Sequence, residues 1–72
     1  MVENRTRDHS KLKGRIREKD ESYRSIAAKL GISTTTLSNK INGHAVFDAD
    51  EIYQLVRILN IEPEDIYLYF FN

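Results

Sequence analysis

Thr34-Thr35-Thr36, followed by Ser38 and Asn39, puts five hydroxyl and amide side chains into the first turns of a segment that otherwise reads as a helix. Thr costs a few tenths of a kcal/mol against Ala in a helix, so stability alone does not account for the triplet. Short groups that both donate and accept hydrogen bonds are suited to reading the polar edges of a partner. They are poorly placed for bond-making. The chain has two histidines, His9 and His44, no cysteine and scattered acids, which leaves no metal-ligand spacing. No Ser/His/Asp arrangement and no Gly-rich phosphate loop is present, so neither enzyme chemistry, a metal nor a cofactor is expected. Taken alone, the same polar surface reads as a solvated helix face sooner than as a recognition surface. The elements around it must decide.

The chain shows helical periodicity throughout and no strand alternation. Leu12 and Ile16, four apart, predict a first helix from about Ser10 to Lys19, weakened by Gly14. Residues 1–9 read as a flexible arm that includes His9, and 10–72 as one domain. Ser22 caps a second helix carrying Tyr23, Ile26, Ala27 and Leu30, which Gly31 ends in the left-handed conformation. Ser33 caps a third, with Ile32 and Leu37 at the spacing of a hydrophobic staple, Leu37 and Ile41 as its inner stripe, and Asn42-Gly43 as its stop. Asp48 and Glu51 form a capping box for a fourth helix through Ile52, Leu55, Val56 and Leu59, with Phe47 and Ile52 repeating the staple. Glu62-Pro63 opens a fifth. The expected fold is all-α, five short helices.

Seventy-two residues are close to the lower limit for a core without staples. The longest apolar run, from Ile66 to Phe71, is too short to cross a membrane, and the N-terminus carries no apolar secretory signal. These features suit a protein of the cytoplasm. Net charge is zero, but residues 1–32 hold nine Lys/Arg against five Asp/Glu, while 48–72 hold Arg57 against six acids. Such a dipole orients a protein toward a polyanion, or it is a chance excess on solvated faces; overall neutrality makes purely electrostatic attraction to nucleic acid modest.

The second and third helices are joined by about three residues, the tight Gly-containing connection of a helix-turn-helix. SYRSIAAKLGISTTTLSNKING resembles that motif in the Cro/repressor (XRE-type) regulators, with Ala27, Gly31 four residues on and Leu37 six further in the marking positions. VFDADEIYQLVRILNIEPEDIYLYFF is similar to the last two helices of small phage regulators from Gram-positive hosts, so the resemblance spans about Leu12 to Phe71. One position departs: three residues after Leu37 the family usually has an apolar residue, where this chain has Lys40 and moves the apolar side chain to Ile41. The resemblance implies a five-helix repressor-like DNA-binding domain. Its third helix would enter the major groove of double-stranded operator DNA, with Thr34, Thr35, Ser38 and Asn39 toward bases. Ser22, Tyr23, Ser33, Lys40, Asn42 and His44 fall where family members touch the phosphate backbone.

A helix over the last residues can turn only about half of Ile66–Phe71 inward. With Ile66, Tyr69 and Phe70 in the core, Tyr67, Leu68 and Phe71 are left for a partner or for the surface. Two readings follow. One is a Cro-like transcriptional regulator of a lytic/lysogenic switch, binding its operator as a homodimer in the bacterial host cell. The other is a modulator of repression that acts through a heteromeric complex with the phage repressor.

Overall fold

The computed structural model describes residues 9–71, and among them there are helices and no strand. α1 is Ser10–Glu18, α2 Tyr23–Leu30, α3 Thr34–Ile41 and α4 Ala49–Leu59. A 3-10 turn, Pro63–Asp65, leads into α5, Ile66–Phe70. Pro63 thus opens the last element as expected, but its first turn is wound tighter than an α-helix. α1 stops at Glu18, one residue short of the expected end.

Each helix contributes to one core. Leu12 and Ile16 come from α1, Ile26 and Ala27 from α2, Leu37 and Ile41 from α3, Leu55 and Leu59 from α4, and Phe70 from α5, with Ile61 beneath the final link. Six of these side chains are fully enclosed. α2 packs against α3 across the small Ala27, while α1 lies on α3 and α5, and α2 also touches α4. No helix of the described residues is long and apolar enough to cross a membrane.

The starts of α2, α3 and α4 are built by side chains. Ser22 Oγ accepts from the Ser25 amide and Ser25 Oγ from the Ser22 amide, a reciprocal cap in which Ser stands where Glu or Gln is usual. Ser33 Oγ accepts from the Thr36 amide, and Asp48 and Glu51 form the box at α4. The ends share a different device. Asp20, Gly31, Gly43 and Asn60 all take positive φ, and the amide of the residue after each reaches back five positions. This is the closure in which a left-handed residue satisfies the last carbonyls of a helix.

His9 is a correction to the expected arm. Its Nδ1 donates to the Tyr69 carbonyl at 3.1 Å, and its ring lies 5.5 Å from Phe47 and 6.3 Å from Phe70. Because a carbonyl can only accept, that bond places a proton on Nδ1. The aromatic neighbours and the α5 carbonyl bring the residue into the folded body. The rest of the expected arm, residues 1–8, lies outside the described residues.

Two glycines make opposite predictions. A Cβ added to Gly14 or to Gly31 meets nothing within 4 Å, but only Gly31 has positive φ, at +76°. Gly14→Ala should stabilise the domain by about 0.5–1 kcal/mol, the difference in helix propensity. Gly31→Ala should destabilise it by about 1–2 kcal/mol through left-handed strain. Thermal melts of both variants check this, and shifts of the same sign would contradict it.

Candidate nucleic-acid interface

The face that α3 turns outward is set by what it turns inward. Leu37 and Ile41, four apart, are fully buried, so Thr34, Thr35 and Asn39 come to the opposite side and are exposed. Among the described residues none of these three side chains makes a hydrogen bond. Their hydroxyls and carboxamide are free to meet a partner.

The third threonine has a different role. Thr36 is half-buried, and its Oγ1 accepts a 2.8 Å bond from Ser33 Oγ while its amide donates to the same Ser33 oxygen at 3.0 Å. The triplet therefore divides: two hydroxyls face outward and one closes the cap. Ser38 is half-buried and accepts from Asn42 Nδ2 at 3.3 Å, so Asn42 is turned along the helix and Ser38 keeps its own proton to donate.

Lys40 does not present its charge to solvent. Its Nζ sits 2.6 Å from both carboxylate oxygens of Glu51, and the two side chains retain only 15% and 10% exposure. Glu51 Oε1 also accepts from the Asp48 amide at 2.9 Å, so one carboxylate serves both the α4 cap and the ion pair. The departure from the apolar pattern at Lys40 thereby has a physical basis. The residue reaches out of α3 to the N-terminus of α4, where the helix dipole favours the negative partner. Its ammonium is committed and is not available to a phosphate.

The other expected backbone-contacting residues are more dispersed. Ser22 and Ser33 are exposed, but their oxygens are occupied by capping bonds. Tyr23 is half-buried against the core, and His44 is exposed just after α3. At the other end of the chain Tyr67, Leu68 and Phe71 are exposed by 64%, 44% and 49%, while Phe70 is buried and Ile66 and Tyr69 are half-buried. The Tyr67 and Phe71 rings stack at 6.4 Å. Phe71 also lines an apolar groove of about 330 Å³ beside Val46, which is 83% exposed and has no counterpart in the expected surface. Val46 is not legible in the sequence because it follows the end of α3 and belongs to no helical stripe.

A family model described as a protein of unknown function (DUF739) matches residues 6–72. The chain belongs to this family. No curated protein matches the sequence. The matched region contains the α2–α3 pair, the Lys40–Glu51 link and the aromatic C-terminal helix alike.

The ion pair predicts a non-additive pattern. Glu51→Gln leaves the partly buried Lys40 without its counter-charge and should cost about 3 kcal/mol, the lower end expected for breaking such a pair. Adding Lys40→Met removes the orphaned charge and should restore most of that loss, since the new carboxamide oxygen can still accept from the Asp48 amide. Urea denaturation of the two single variants and the double gives the coupling, and additive losses would mean that the pair is not coupled.

Proposed function

We propose that the chain is a phage-type transcriptional regulator of a lytic/lysogenic switch, with α2 and α3 as a helix-turn-helix that binds operator DNA in Cro-like fashion. The carrying observation is the free outward face of α3: Thr34, Thr35 and Asn39 are exposed and unbonded, behind a buried Leu37–Ile41 stripe. A helix fits the major groove, where Asn pairs with the N6 and N7 edge of adenine and Thr offers a hydroxyl and a methyl. Ser38 donates from the side of that face. Tyr23, Asn42 and His44, with the backbone amides at the Ser22 and Ser33 caps, serve the phosphates. In this reading the protein is a binding module and not an enzyme, and it works in the cytoplasm of a bacterial host.

A second reading is supported by the C-terminal surface. Tyr67, Leu68 and Phe71 are exposed apolar side chains at one end of the chain, and Phe71 shares a groove with Val46; surface of this kind anchors protein partners. In that case the chain is a modulator of repression, and this surface engages the phage repressor. For the Cro-like regulator the same surface serves a homodimer.

Thr35→Ala and Asn39→Ala should each leave the melting temperature nearly unchanged. Each should lose roughly 1–3 kcal/mol of discrimination at one base pair of the operator. Competition binding against single-base operator variants measures this, and an unchanged preference at every position refutes base readout by α3. Leu68→Glu with Phe71→Glu should stay folded and abolish an association. Sizing alone and with the repressor of the same phage shows which: loss of the homodimer supports the regulator, and loss of only the mixed complex supports the modulator.

A further inference from the structure

α3 lacks a free cation. Its one basic residue, Lys40, is held by Glu51, so the phosphate attraction that dominates protein–DNA affinity has to come from elsewhere in the molecule. A cleft of about 270 Å³ between α1 and the start of α2 fits that need. Lys13, Ile16 and Arg17 of α1 line it together with Glu21, Ser22 and Tyr23, and the buried Ile16 contributes its apolar part.

Lys13 and Arg17 are four residues apart and share one face of α1. Neither side chain makes an ion pair or hydrogen bond among the described residues. Glu21, the one acid of the cleft, is engaged elsewhere. It accepts from Ser25 Oγ at 2.6 Å and Lys29 Nζ at 2.9 Å, and these bonds, the Ser25 hydroxyl foremost, hold its carboxyl below the usual carboxylate range. Lys29 cancels its charge, which leaves Lys13 and Arg17 as the uncompensated cations of the cleft. Tyr23 lines the same cleft, and its hydroxyl has no hydrogen-bond partner among the described residues.

We propose that this cleft is a phosphodiester clamp, in which Lys13 and Arg17, with the Tyr23 hydroxyl, hold a backbone phosphate of duplex DNA and fix the register of α3. The inference rests on the reading of α2 and α3 as a helix-turn-helix, in which the first helix of the pair crosses the sugar–phosphate backbone. Arg takes a phosphate through two parallel N–H bonds, and Lys adds a point charge. The clamp also gives the basic excess of the N-terminal half a location. A site of this kind is indifferent to base sequence and sensitive to salt.

Fluorescence anisotropy of the full chain with a promoter duplex and a random duplex, each at several salt concentrations, tests it. Lys13→Gln with Arg17→Gln should weaken both by about tenfold or more and lower the salt slope by about one, at roughly 0.9 per neutralised phosphate. A charge-matched control, Lys11→Gln with Lys19→Gln, changes exposed residues outside the cleft and should retain the slope. Asn39→Ala should narrow the promoter preference, through one base pair, with its slope intact. Circular dichroism melts confirm that each variant is folded. An unchanged slope in the cleft variant, or an equal loss in the control, overturns the clamp while promoter preference upholds the reading of α3. Cleft-dependent binding without promoter preference upholds the clamp and overturns operator recognition. Failure of the wild type to bind either duplex overturns both.

Discussion

The roll of α3 about its own axis is the constraint on which the arrangement depends. An eight-residue helix with three threonines, a serine and an asparagine has little intrinsic preference to form, so its surroundings must hold it. Leu37 and Ile41 supply the apolar anchor, the Ser33 cap fixes the entry, and Lys40 reaches to Glu51 at the start of α4. Three attachments on one side leave the other side without alternatives. Rotation by one residue would bury Ser38 or Asn42 in place of Leu37 or Ile41 and withdraw Lys40 from its partner. The exposure of Thr34, Thr35 and Asn39 is thus a consequence of packing as much as of their own polarity.

Around α3 the remaining helices act as a frame with closed ends. Arg15 is an example: its Nε donates to the Leu59 carbonyl at 3.0 Å and its Nη2 to the Asn60 carbonyl at 2.9 Å. One guanidinium on α1 thereby satisfies the C-terminus of α4, where a cation is favoured by the helix dipole. His9 does comparable work at the other end of α1 by joining it to α5. In a domain of this size such cross-links matter, because the apolar core is limited.

Much of the frame is legible in the sequence, and the exceptions share a cause. Ser22, Ser33 and Asp48 announce their helices, and Gly31 its turn, because capping depends on residues within four positions of each other. The inner stripes are readable for the same reason. The positive φ of Asp20 and Asn60 is not, since Asp and Asn only tolerate what Gly permits freely. The contacts of Arg15, His9 and Lys40 escape a sequence reading because their partners lie 44, 60 and 11 positions away, beyond any local pattern. Lys40 is at least conspicuous, as a charge in an apolar slot. Of the candidate interface, the outward position of Thr35 and Asn39 follows from periodicity alone, whereas Thr36 is diverted by the Ser33 hydroxyl, which bonds both its amide and its side chain.

Recognition by α3 and association through the C-terminal helix would draw on different residues of one small domain. Amide chemical-shift mapping of the labelled chain with a promoter duplex tests the first of these most directly. The Thr34–Asn39 amides should move strongly while those of Tyr67, Leu68 and Phe71 stay in place. Shifts confined to the C-terminal helix, or an α3 that does not respond to the duplex, would contradict recognition through α3.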